Sequence, residues 1–277
     1  MIVVDLYGGP GGWDVAAEAL GLDVLGIEWD DAACATRKAA GLNTLQADVS
    51  LLDPLDFQGT TGLIASPPCQ TFSPAGKGDG RGDLDILRRA IYQLGKGDPR
   101  WRATAAECSD PRTSLVLEPL RWALALDATL EWVALEQVTP VLPLWEMMAI
   151  ALQGRGYNVW TGTLCSEQYG VPQTRRRAVL MAVRGRPVVP PHPTHQRFDG
   201  GPAQASLCGG LLPWVSMADA LGWHEEDRVG FPRRDDQGSD GYRDRDRREA
   251  RMPALAVTEK ARSGDPRRDP PRRRPHP

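Results

Sequence analysis

The chain has 277 residues, 41% of them hydrophobic and 25% charged, with a formal net charge of −3. That is the balance of a soluble globular protein of one large or two small domains, and no apolar run approaches the ~20 residues needed to span a bilayer. Five cysteines, with no CxxC pair, argue against a disulfide framework and a structural zinc site, and the strand-like opening MIVVDL carries no secretory leader, so a reducing, cytoplasmic setting is expected.

The first 185 residues alternate strand and helix signals. Ile2 to Leu6 reads as a short apolar strand, Trp13 to Leu20 as a helix and Val24 to Glu28 as a second strand. Asp31 to Ala40 is helical, Thr44 to Ala47 a brief strand, and Gly62 to Ala65 a buried strand that two prolines end. Between Pro74 and Asp110 the pattern lapses, and the Gly- and charge-rich GKGDGRGDLD predicts a mobile loop, either a lid over a site or an insertion. Ser114 to Leu126 predicts a helix with a Ser or Thr cap, Trp132 to Glu136 a strand, and Leu144 to Gln153 a helix. Tyr157 to Leu164 and Ala178 to Val183 close the series as strands. Such alternation implies an α/β fold, a doubly wound, mostly parallel sheet with helices on both faces. GRPVVPPHPTH is then a proline-rich linker, Gln196 to Gly230 is Gly-rich with several tryptophans and little periodicity, and charges dominate from Arg233 to Arg251. The segment from 251 ends in an Arg/Pro tail expected to be disordered.

Three features carry chemistry. DLYGGPGGWD, from Asp5 to Asp14, is a glycine-rich turn between a strand and a helix, where backbone can approach a ligand closely and free N–H groups are on offer. Glu28 ends the next strand about twenty residues on, the spacing used to hold ribose hydroxyls. Trp29 could stack on an adenine and Asp48, ending the third strand, could accept from its amino group. Singly, Trp29 reads as readily as a core tryptophan and Asp48 as a solvated turn residue; together around the glycine loop they favour an adenosine-containing cofactor. SPPCQTFS places Cys69 on a stiff turn at the carboxyl edge of the sheet, where open α/β sheets bind ligands. Glu136 ends another apolar strand, where burial would let it hold or share a proton. In QTRRRAVLMAV, Arg175 and Arg177 share a face if the stretch is extended, and can donate to carbonyl or phosphate oxygens.

The order DLYGGPGG, IEWD, SPPCQTFS, LEQV, QYGVPQTRRRAVLMAV resembles the cytosine-5 DNA methyltransferase family over roughly residues 1–185. The resemblance implies an AdoMet-dependent, Rossmann-like methyltransferase fold with a small irregular target-recognition region. It implies S-adenosyl-L-methionine held by Asp5, Leu6, Tyr7, Gly8, Gly9, Gly11, Gly12, Glu28, Trp29, Asp48 and Pro68. Cys69 matches the nucleophile that adds to carbon 6 of cytosine, Glu136 the group that bonds N3 and the exocyclic amine, Arg177 the arginine on the base carbonyl, and Arg175 its support. The 74–110 stretch corresponds to the active-site loop, 186–250 to a short target-recognition region, and 251–277 to a partial C-terminal motif, with Arg251 and Thr258 as partial matches. Double-stranded DNA is the implied partner, its cytosine flipped out, with no membrane and no metal, a monomeric state and a bacterial or phage source. Gln137 stands where the family usually has Asn, and Tyr7 where Phe is common. A non-catalytic DNA- or AdoMet-binding relative and an RNA cytosine-5 methyltransferase remain alternatives.

Overall fold

A computed structural model describes residues 2–73, 80, 82–200 and 210–223. The chain divides into two compact units, residues 1–227 and 228–277, and the second lies outside the described residues. So do Arg251, Thr258 and the Arg/Pro tail.

The first unit is built on a seven-stranded sheet in the order β3-β2-β1-β4-β5-β7-β6. The strands are β1 (Ile2–Leu6), β2 (Asp23–Glu28), β3 (Thr44–Gln46), β4 (Thr60–Ala65), β5 (Trp132–Gln137), β6 (Tyr157–Cys165) and β7 (Arg176–Arg184). The first five pair in parallel, whereas β7 runs antiparallel to both β5 and β6. Sequence order reverses between β1 and β4, so a crevice opens at the carboxyl ends of those two strands.

Alternate residues of the central strands feed two faces, as strand geometry demands. Val4, Leu6, Leu63, Ala65, Val133 and Leu135 join the larger core cluster, and Val3, Val24 and Ile64 pack with Ala17 in a smaller one. Ala17 belongs to α1 (Gly12–Ala19), and α2 (Asp31–Ala39) starts where Asp30 accepts from Ala33 N at 2.8 Å, a side-chain N-cap. The larger core is closed by α3 (Leu84–Gly95), α4 (Trp101–Ala105), α5 (Glu118–Ala125) and α6 (Leu142–Gln153). A short α7 (Met217–Leu221) stands among the otherwise irregular described residues 186–200 and 210–223, opened by a capping box at Ser216 and Asp219.

Two expectations are corrected. Much of 74–110 is helical: Leu87, Ala90, Ile91 and Leu94 of α3 are buried, as are Trp101 and Ala105 of α4. Asp83 accepts from Ser109 N at 2.9 Å and Ser109 Oγ at 2.8 Å, which joins the two ends of this excursion. The mobile-loop reading falls mainly on residues 74–79 and 81, outside the described ones. The helix expected over Ser114–Leu126 is instead a 3-10 segment, Pro111–Leu117, followed by α5, and the cap is Asp110, accepting from Arg112 N.

Candidate active site at the carboxyl edge of the sheet

Parallel pairing sends the ends of β1, β2, β3, β4 and β5 to one edge, and with them most of the residues singled out in the sequence. The turn after β1 has an unusual backbone. Tyr7, Gly9 and Gly11 take φ of 61, 52 and 101°, the left-handed region that costs a non-glycine residue roughly 1–2 kcal/mol. Tyr7 is held there by burial and by its hydroxyl, which donates to Leu115 O at 3.3 Å. Burial also raises its pKa well above the ordinary tyrosine value, the charges of Glu118 and Asp48 adding to the effect. Side chains added at Gly9 or Gly12 would meet nothing within 4 Å, so backbone here is open to a ligand.

Glu28 organises this turn as well as facing the crevice. Its Oε2 accepts from Gly9 N at 2.8 Å and its Oε1 from Trp29 N and Asp30 N at 2.7 and 2.8 Å. A carboxylate offers about four acceptor positions, so room is left for a hydroxyl. Asp48 lies two residues beyond β3 rather than at its end, and its Oδ1 accepts from Ser50 N and Oγ at 2.8 and 2.7 Å. Tyr7, Glu28, Trp29, Asp48 and Pro68 line one cavity of about 510 Å³. Trp29 is 70% exposed, so it is not a core tryptophan. Asp5 and Leu6 are fully buried in β1 and do not line the cavity; nor do Gly8, Gly9, Gly11 and Gly12, although Gly8 N and Gly9 N are bonded to its Ile27 and Glu28.

The sequence reading missed the far wall, formed by Trp101, Pro111, Arg112, Ser114, Leu115 and Glu118. Burial raises the Glu118 pKa against the pull of Arg121. That arginine bonds Glu118 at 2.6 Å and donates to Val49 O and Leu52 O at 3.0 and 3.1 Å, fixing the chain next to Asp48. The available signal was the Asp110-Pro111 start, an N-cap followed by proline.

Beyond β4, Cys69 is exposed, and its carbonyl accepts from Phe72 N and Ser73 N at 3.0 Å each. The tight turn is anchored by the fully buried Phe72. Gln137 grips the turn from β5: its Nε2 donates to Pro67 O at 2.5 Å, its Oε1 accepts from Val138 N at 2.6 Å, and only 2% of it is exposed. Trp13 Nε1 donates to Ser66 Oγ at 3.0 Å, bridging the crevice between α1 and the Cys69 turn. Removing a donor to a buried acceptor costs about 1–3 kcal/mol. Gln137→Ala is therefore expected to lower the unfolding free energy by that amount, read from the shift of the denaturation midpoint, and Gln137→Asn, one methylene shorter, to recover only part of it.

Glu136, 20% exposed at its side chain, is paired with Arg177 Nε at 2.6 Å and with Arg175 Nη2 at 3.4 Å. The inversion of β7 makes this possible. Because Gln137 pairs with Ala178 and Glu136 with Val179, the start of β7 meets the end of β5. Arg176, between them, is exposed. The three residues expected to act on one base are thus together, one strand from the Cys69 turn. Among the described residues, no group of three or more His, Cys, Asp or Glu could hold a metal, and no helix is long and apolar enough to cross a membrane.

Beneath the turn, Asp5 is wholly enclosed beside Asp14. Burial, then the hydrogen bond and charge of Asp14, raise its pKa well above 3.8, with Arg37 opposing. The folded state therefore holds this proton more tightly than the unfolded chain. Its contribution is full below the ordinary carboxylate range and is lost as pH rises through the raised folded value. Asp5→Asn, which cannot ionise, is expected to remove that decline in plots of unfolding midpoint against pH.

The strand order with its inverted seventh strand, together with the crevice cavity, defines a Rossmann-like methyltransferase fold. The methyltransferase EhMeth of Entamoeba histolytica shares it at a TM-score of 0.51, 14% identity, and coverage of 71% of this chain and 57% of that one. Residues 1–86 match the C-5 cytosine-specific DNA methylase family. The type II methyltransferase M.DdeI of Desulfomicrobium norvegicum is 26% identical over 199 residues, 66% of this chain and 41% of that protein. M.AquIA of Picosynechococcus sp., also a type II methyltransferase, is 27% identical over 245 residues, covering 79% and 87%. These matches bear out the resemblance to the cytosine-5 DNA methyltransferase family. The chain spans less than half the length of three of the curated relatives it matches, at 43%, 41% and 49%.

Proposed function

We propose that this chain transfers a methyl group from S-adenosyl-L-methionine to carbon 5 of cytosine in double-stranded DNA. The observation that carries the reading is the Glu136, Arg177 and Arg175 cluster at the end of β5, one strand from the Cys69 turn that Gln137 ties to β5. The family match over residues 1–86 supports it, and the names of the type II relatives fit it.

The residues present suit the cofactor. The Glu28 carboxylate, the exposed Trp29 ring and Asp48 line about 510 Å³, enough for a nucleoside with an amino-acid arm, and the backbone at Gly9 and Gly12 is open. When bound there, AdoMet supplies an electrophilic methyl group. The chain's own residues do the rest. As thiolate, Cys69 forms a bond from Sγ to carbon 6, and the ring's electron pair moves to carbon 5, which becomes nucleophilic. Glu136 bonds N3 and the exocyclic amine, shares a proton with N3 and so accommodates the charge. Arg177, held in line by Glu136, donates to the base carbonyl, and Arg175 supports the pair. Once carbon 5 has taken the methyl group, leaving the cofactor's sulfur as a neutral thioether, solvent acting as base takes the carbon-5 proton; that electron pair re-forms the 5,6 double bond, Sγ leaves as thiolate and aromaticity returns. The target carbon is out of reach inside a duplex, so the base is extruded into the site. Residues 186–250 are the proposed target-recognition region, and a monomer in the cytoplasm is the proposed state.

Transfer of radiolabelled methyl from AdoMet to duplex DNA, with RNA of the same sequence as comparison, tests the reading. Labelled DNA is expected. Label on RNA alone would replace DNA as substrate, and AdoMet binding without transfer to either would favour a non-catalytic relative.

A further inference from the structure

Arg37 of α2 is wholly buried under the glycine turn. Its Nη1 and Nη2 hold both carboxyl oxygens of Asp14 at 3.0 and 2.5 Å. Nη1 also donates to Gly8 O at 3.2 Å, Nε to Thr44 Oγ1 at 2.9 Å and Nη2 to Asn43 O at 3.4 Å. One side chain thus ties α1, the turn and the entry to β3 together. Two glycines make room for it: a Cβ at Gly26 would stand 1.7 Å from Nη2, and one at Gly8 2.5 Å from Nη1. With its donors committed in five directions, the guanidinium could not swing aside. At Gly8 the missing side chain therefore accommodates Arg37.

Stability alone does not call for this arrangement, since a buried ion pair is often matched or bettered by apolar residues of similar volume. The Gly8 carbonyl accepts from Gly11 N at 3.0 Å within the turn; what an apolar pair cannot supply is the second donor, from the helix below, that Arg37 adds at 3.2 Å. That carbonyl lies between Tyr7 and Gly9, the two residues whose φ of 61 and 52° shape the turn. We propose that Arg37 is a positioning residue for cofactor binding, fixing the Gly8 carbonyl and Asp14 so that residues 7–12 present Gly9 N to Glu28 and leave Gly9 and Gly12 open to AdoMet. The inference rests on the assignment of this turn to AdoMet. Arg37 itself touches no ligand.

Arg37→Met alone would strand the Asp14 carboxylate inside the protein and is expected to unfold it. Two other variants of the full chain decide the matter, read by calorimetric AdoMet binding, thermal unfolding and the kinetic constants for AdoMet. Arg37→Met/Asp14→Leu removes both charges and is expected to fold. Its AdoMet affinity falls by about tenfold or more, the effect of losing one hydrogen bond to a charged donor, and KM for AdoMet rises while kcat at saturation holds. Arg37→Lys keeps the charge opposite Asp14, but one ammonium cannot replace the planar fork that serves Asp14 and Gly8 together, so it too loses affinity while still folded, with a lowered Tm. Wild-type affinity in a folded double variant, or in Arg37→Lys, would overturn the proposal. A double variant that fails to fold would show the pair to be a requirement of the fold, and Arg37→Lys then decides. Wild-type protein that binds no AdoMet would instead overturn the cofactor assignment.

Discussion

Replacing Cys69 by serine is expected to lower methyl transfer by more than ~10³-fold, with AdoMet affinity unchanged. A serine hydroxyl at neutral pH is a far weaker nucleophile than a thiolate. Cys69 also stands apart from the other described cysteines. Cys34 and Cys165 are buried, and Cys108 is half-buried with its pKa pushed up to about 11 by burial, which keeps it protonated at neutral pH. Among the described cysteines only Cys69 is exposed, on a turn fixed by Phe72 and Gln137. Turnover and calorimetric AdoMet binding, measured on the same preparation, check the expectation. Residual turnover near wild type would remove Cys69 as nucleophile, and a matching loss of AdoMet affinity would make it part of the cofactor site.

Glu136→Gln is expected to slow transfer by ~10²–10⁴-fold, the usual worth of a positioned acid or base, without weakening DNA binding. Glutamine keeps the length of the side chain but cannot share a proton with N3. It also frees Arg177 and Arg175 from the pairings at 2.6 and 3.4 Å. Those cations stay at the mouth of the site and favour DNA phosphate. Single-turnover rates and binding at fixed salt separate the two effects. An unchanged rate would take Glu136 out of the chemistry.

The sheet was legible because buried parallel strands are written as short apolar runs, and each observed strand begins or ends within about two residues of its sequence expectation. The orientation of β7 was not legible, since an apolar run such as AVLMAV fits either direction; only pairing shows it. That direction decides whether Arg175 and Arg177 meet Glu136. Helix α3 was hidden because its apolar positions, Leu84, Leu87, Ile91 and Leu94, follow directly on the Gly- and Asp-rich stretch that suggested a loop. Arg37 was invisible for a different reason. A lone arginine in a helix is ordinarily a solvated charge, and its burial depends on Asp14, Gly8 and Gly26, residues that only the sheet brings together. Of the lining of the 510 Å³ cavity, Glu28 and Trp29 at the end of β2 and Asp48 just beyond β3 were legible, whereas the Trp101–Glu118 wall comes from a crossover whose packing no local pattern specifies.

The most direct measurement is a covalent trap. The full chain is mixed with AdoMet and duplex DNA of varied sequence carrying 5-fluorocytosine, whose fluorine cannot leave carbon 5 as a proton does. A denaturation-resistant protein–DNA complex that requires AdoMet and disappears in Cys69→Ser is the predicted result, and sequencing the trapped DNA would identify the recognised site. AdoMet binding without any such complex on DNA would contradict methylation of DNA cytosine through Cys69.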